Sequence, residues 1–202
     1  MERHKVFISY YHKDQSYKDL ICDVWNSNQE LFDDYSVGFG DIDDTNKSDE
    51  TIRKIIRDEY IADATVLLLL CGPETKTRKY IDWELHAAMY NTENNPKMGI
   101  VVINLPNSRN GVRAPTDREK EIVAPNSNWT SFDTRKEFEE RYPSAPSRII
   151  DSLYKCHSDI TFVDWSTINN NHLLLKELID YAFKRKDEIE YDTSATLRRK
   201  NS

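Results

Sequence analysis

Glycine is scarce in this sequence, with five in 202 residues. A Gly-x-Gly-x-x-Gly phosphate fingerprint is absent, and the short "GFG" at 38–40 lacks the third glycine such a turn needs. Cysteine is scarcer still. Cys22, Cys71 and Cys156 are odd in number and far apart, which argues against a disulfide framework or a Cys-x-x-Cys metal site and suits reduced thiols in a cytosolic protein. No stretch reaches the about 18 apolar residues of a membrane span. "MERHKVFISYY" passes straight into a strand-like run with no signal-peptide core. The chain is therefore expected to be soluble and cytoplasmic, with no membrane partner. Long basic blocks are missing too: 28 Lys and Arg face 35 Asp and Glu for a net charge of -7, and no cationic run exceeds "KRK" and "RRK". Nucleic acid is accordingly not an expected partner.

What remains is enough apolar material, 38% of residues, for one substantial core. It is distributed as short buried runs alternating with amphipathic segments. "KVFISY" (5–10), a weaker "YSVGF" (35–39), "ATVLLLLCG" (64–72), "GIVVINL" (99–105) and "ITFVDW" (160–165) read as strands. The third is apolar on both faces, which marks it as central in a parallel sheet. Helices are expected over 15–28, over 48–63 with Ser48 as N-cap and Ile52, Ile55 and Ile56 at helical spacing, and over about 80–91, 145–156 and 169–187. Alternating strands and helices predict a doubly wound, flavodoxin-like α/β domain over 1–187, with a five-stranded parallel sheet of order 2-1-3-4-5. Residues 106–133, rich in Pro, Asn, Ser and charge, read as an insertion without regular structure, and 188–202 as a flexible tail.

In such sheets ligands bind at the C-terminal ends of the strands, where the strand order reverses. "KYIDWELHAAMY" (79–90) begins a helix at that edge, with Trp83 and Glu84 side by side. At 100° per residue, Ile81, Leu85, Ala88 and Met89 form the apolar stripe and Glu84 falls on its margin, beside Ala88. An acid in a first turn can serve the helix dipole alone. The loops after the first two strands border the same edge, however, so Glu84 is also placed to reach a ligand, with Trp83 as an apolar wall. Three other features read as structural. "DIDD" (41–44) lacks carboxylates at the strand ends that would complete a Mg²⁺ site, His12 sits in an exposed loop, and Cys71 ends a buried strand. No metal site is expected.

"KVFISYYHKD", the acidic "DIDD", "IRKIIRDEYIADATVLLLLCG" and "TKTRKYIDWELHAAM", in that order, resemble a bacterial TIR-like domain of the subgroup found in Thoeris anti-phage systems. The later "APSRIIDSLYKCHSDITFVDW" is similar to the way that subgroup ends, so the resemblance spans about 5–165. It implies an enzyme that cleaves the nicotinamide–ribose bond of NAD, as substrate and not cofactor, with Glu84 as the catalytic residue. It further implies a pocket lined by Ser9, Tyr10, Tyr11 and Trp83. The segment from Gly40 to Asp49 would pack protomers together as a homo-oligomer. The product would be a signal nucleotide, an ADP-ribose derivative of cyclic type, that reaches a separate effector protein, with a phage-derived component as trigger. Where eukaryotic relatives carry a Ser-x-x-Trp-Cys-x-x-Glu pattern, this chain has Thr77 and Tyr80 in the corresponding region.

One carboxylate suffices for that chemistry. Nicotinamide is a cationic leaving group that needs no general acid, so a second carboxylate of the glycosidase kind is unnecessary, and a Glu near the ribose stabilises the oxocarbenium that forms. Two alternatives stand beside this reading. One is a TIR-type interaction module without activity. The other is a nucleoside deoxyribosyltransferase-like enzyme using the Glu as a covalent nucleophile.

Overall fold

β3 (Val66–Cys71) and β4 (Gly99–Asn104) are buried at every residue, and they are flanked in a parallel five-stranded sheet of order β2-β1-β3-β4-β5. The structure, a computed structural model, describes residues 2–36, 47–92 and 95–201. β1 (Lys5–Ser9) pairs with β3 through Val6–Val66 to Ser9–Leu69, and β5 (Thr161–Asp164) closes the far edge against β4. The expected strand order is the observed one, with the 65–71 run at the centre. β2 is shorter and earlier than expected, Asp33–Asp34, extended by Tyr35 N–H donating to the Val6 carbonyl and by Ile8 N–H donating to Ser36 Oγ at 3.1 Å. Residues 37–39 of the anticipated 35–39 strand, and the "DIDD" loop with them, lie outside the described residues.

Side chains alternate across the sheet and seed two cores. Phe7, Leu67, Leu69 and Val102 face one side, covered by α3 (Asp49–Ile55), α4 (Lys79–Met89), α6 (Arg135–Arg141) and α7 (Ser147–Cys156). Val6, Ile8, Leu68 and Ile103 face the other. There α1 (Gln15–Asp19) continues through a π-helical stretch, Leu20–Asn26, into α2 (Ser27–Gln29), and α5 (Asp117–Val123), α8 (Trp165–Asn170) and α9 (Leu173–Arg185) complete the layer. Gly99 lets α9 approach closely: a Cβ there would lie 2.2 Å from the Ala182 carbonyl oxygen. Among the described residues no helix is long and apolar enough to cross a membrane.

Three expectations need correction. The 106–133 insertion contains α5, and α6 follows it directly. The side chain of Thr116 accepts from Glu119 N–H, and Thr134 and Glu137 form a reciprocal capping box, so both helices start at Thr-x-x-Glu sequences. The last helical stretch is two helices broken at Asn171, with Trp165 opening α8 where a strand residue was expected.

The third correction concerns 188–202, expected to be a flexible tail. Its described residues form no helix or strand, but are held along the α4–α7 face by their own polar groups. Tyr191 Oη donates to the Met98 carbonyl at 2.8 Å, and Lys155 Nζ reaches Asp192 at 2.7 Å. Burial alone would raise the Asp192 carboxyl, but the Lys155 and Ser194 hydrogen bonds outweigh it and hold the group at about 2. Ile189 is 4% exposed and Leu197 packs against the core. Deleting 188–202 is expected to lower stability by on the order of 3–5 kcal/mol, about two buried large side chains' worth. The urea midpoint measures this, and an unchanged midpoint would restore the flexible-tail reading.

Candidate functional site

The residue before Tyr10 and Tyr11 ends a buried strand, and it meets the carboxylate the helix pattern singled out. Ser9 is 1% exposed and its Oγ donates to Glu84 Oε2 at 2.6 Å. The contact follows from parity. Ser9 shares the face of Phe7, over which α4 packs, and Glu84 projects from α4 toward the end of β1. Since α4 begins at Lys79, Glu84 is its sixth residue and lies in the second turn, not the first as expected. The helix dipole therefore contributes little to it. Burial pushes its carboxyl up to about 7 against the lowering effect of the Ser9 hydrogen bond. Near neutral pH this group is divided between acid and carboxylate, the condition in which one residue can both stabilise positive charge and accept a proton.

Tyr10 and Tyr11 part company beyond Ser9, as the strand alternation requires. Tyr11 stays on the Ser9 side, with the Arg78 guanidinium 3.8 Å above its ring. Tyr10 turns to the opposite core, and its Oη donates to Gln15 Oε1 at 2.5 Å. Ser9, Tyr11 and Glu84 are thus brought to one end of the sheet, whereas Tyr10 faces away from them. His12 stacks obliquely on Tyr11 with ring centres 4.2 Å apart. Burial pushes the Cys71 thiol up to about 12, as befits a core residue.

Trp83 is not the open wall it was expected to be. Its indole is 2% exposed, lies in the core, and donates its N–H to the Arg198 carbonyl at 2.9 Å. Lys79 Nζ at 4.7 Å and Arg53 at 5.3 Å cover its face. The reason is angular: adjacent helix residues point about 100° apart, so while Glu84 faces Ser9, Trp83 faces α3 and the C-terminal segment. The next residue back is equally occupied. Asp82 accepts both Arg148 Nε at 3.1 Å and Arg148 Nη2 at 3.2 Å, and also the Arg198 backbone N–H at 2.9 Å.

Arg78 is the site residue the sequence reading passed over. It precedes α4, pairs with Glu74, and keeps a buried Nε with no hydrogen-bond partner. Among the described residues that Nε has no acceptor, and because it is shut off from solvent an anionic group reaches it only when the Arg78–Tyr11 stack opens. Asp14 closes the same end, its carboxylate so near Gly72 that a Cβ there would be 2.8 Å from Oδ2. Among the described residues no cluster of three or more His, Cys, Asp or Glu is placed to hold a metal ion.

The family model described as Thoeris protein ThsB, TIR-like domain, matches residues 7–110, just over half of the 202 residues. The match takes in Ser9, Tyr11, Arg78 and Glu84 and stops before α5, short of the span over which the sequence resemblance extends. No curated protein matches the chain.

Proposed function

The chain belongs to the TIR-like family of the Thoeris protein ThsB, and from that membership we propose that it is an NAD-cleaving enzyme of anti-phage defence with Glu84 as its catalytic residue. The observation that supports the reading is the 2.6 Å bond from Ser9 to Glu84, which joins two residues that the resemblance assigns to one pocket. In the proposed reaction the bond between the ribose C1′ and the nicotinamide nitrogen breaks, and its electron pair leaves with neutral nicotinamide. The Glu84 carboxylate, oriented by Ser9, stabilises the oxocarbenium left behind. An acceptor hydroxyl then forms the new bond to C1′, and its proton passes to Glu84, whose affinity for protons near neutrality suits that role. When the acceptor is a hydroxyl of the same molecule's adenosine ribose the product is a cyclic ADP-ribose isomer, the signal a separate effector would read. When it is water, the product is ADP-ribose. Tyr11 and Arg78, stacked on one another at the same end of the sheet, are the residues that part to hold the rest of the dinucleotide.

Self-association through the 40–49 segment completes the site in this proposal, with a phage component promoting it. Nicotinamide release from NAD, followed with product mass across protein concentration, pH and added phage lysate, tests the whole reading. Release is expected to rise with pH through about 7, because the carboxylate form is the active one. Specific activity is expected to fall on dilution. Constant specific activity far below the concentration of self-association would remove the oligomer requirement, and no nicotinamide under any of these conditions would leave only a non-catalytic TIR module.

A further inference from the structure

We propose that the insertion builds a second, independent small-molecule site that takes a nucleotide, a phosphate joined to a planar base. A cavity of about 750 Å³ opens between the 127–132 segment, α6 and the end of α7, a size within the about 300–1,000 Å³ of small-molecule sites. It is not the Glu84 site. Arg113, in its wall, is bridged in both directions to the backbone of Phe162 on β5. β5 stands three strands from β1 in the sheet, roughly 14 Å at the usual strand spacing.

Its charge is one-sided. The chain as a whole carries a net -7, yet the cavity is lined by Arg113, Lys120, Arg141 and His157 and by no Asp or Glu. Lys120 is paired to Asp117 at 2.8 Å. Among the described residues neither Arg113 nor Arg141 has a carboxylate within ion-pair distance. Arg113 Nη1 donates instead to the Ile160 carbonyl at 2.9 Å, and burial weakens its hold on its proton. Arg141 is pinned by Gly111, where any Cβ would come within 2.0 Å of its Nε, and the Gly111 N–H donates to the Arg141 carbonyl at 2.8 Å. Two guanidinium groups, the exposed Arg141 and the half-buried Arg113 whose nearest carboxylates, Asp159 and Glu119, stand beyond ion-pair distance, form a site for a phosphate, which they can engage with charge-assisted, forked hydrogen bonds.

The remaining lining is aromatic. Phe138 and Tyr142 form a buried floor, with Phe132 set edge-on to Phe138 at 5.7 Å and Tyr142 against Phe162 at 4.4 Å. Trp129 and Phe132 remain partly exposed at the opening, where a planar base can stack. Cations alone would select any anion. Cations with exposed aromatic faces select an anion that carries a ring.

Adenosine monophosphate is the probe, titrated by calorimetry into the intact protein, with the part of the tryptophan fluorescence change that Trp129→Phe removes as a second signal. Saturable binding is expected, weakened about tenfold or more by Arg141→Gln, the loss of one charge-assisted contact, and similarly by Trp129→Ala. Ser9→Ala is expected to leave it unchanged. Arg141 and Trp129 lie at the rim, so the pair of variants decides the matter even if one perturbs folding. No saturable binding at millimolar AMP would overturn the proposal. So would affinity indifferent to both rim variants but lost in Ser9→Ala. Inorganic phosphate binding as tightly as AMP would overturn the nucleotide assignment, and tighter binding of a short single-stranded oligonucleotide would move the site to another class of ligand.

Discussion

Glu84→Gln is expected to remove nicotinamide release, by at least about a hundredfold, while making the protein more stable at pH 8. Burial holds the folded carboxyl at about 7, against an ordinary value of 4.5. A group raised in this way contributes stability below its unfolded value and loses that contribution as pH rises through about 7. Above that the fold carries an ionised carboxylate in a largely desolvated place, at a cost bounded by about 3 kcal/mol for the displacement. Partial exposure lowers the figure. Glutamine keeps an acceptor for Ser9 and carries no charge, so a gain of about 1–2 kcal/mol at pH 8 is expected, a rise of several degrees in Tm for a chain of this size. At pH 4 the two proteins should melt together. Turnover and melting measured on the same preparations check both halves. Undiminished turnover would falsify the catalytic assignment, and a lower Tm at pH 8 would show that the carboxylate is not under strain.

The second large effect lies two residues away. Asp82→Ala should destabilise the protein by about 3–5 kcal/mol, the cost of leaving a buried cation without its partner. The Arg148 side chain is 1% exposed and both of its bonds to Asp82 run through the interior between α4 and α7. Urea unfolding reads the loss directly. Adding Arg148→Met to the same protein should recover much of it, because a fitted apolar side chain needs no counter-charge. A loss below about 1 kcal/mol in the single variant, on a pair this buried, would contradict the account.

Strands and their order were readable because β3 and β4 are continuous apolar runs, whereas Ser9 was placed near Glu84 by the family resemblance alone, together with Tyr10, which strand alternation turns to the other side of the sheet. The orientation of Trp83 was not. The helical wheel assumes one apolar stripe and one wet face, but in α4 seven of eleven residues are buried, since the C-terminal segment covers the side that would otherwise be exposed. That segment has no periodicity to betray it, because it docks through backbone groups and scattered side chains such as Ile189, Tyr191 and Leu197. α5 and α6 did carry a signal, the paired Thr-x-x-Glu starts at Thr116 and Thr134, but their short lengths and polar surroundings hid it. Arg78 went unnoticed because its distinction is a missing partner, a property of three dimensions only.

The bonds on Asp82 also set an order of events. Its partners lie 66 residues later, at Arg148, and 116 residues later, at the Arg198 backbone. During synthesis α4 therefore emerges long before either exists, and such long-range contacts are slow to close. Both fastenings therefore come after α4 has packed on the 56–61 stretch and on β1 and β3, all of which precede it in the chain, and the face of α4 that carries Asp82 is closed by the segments made last.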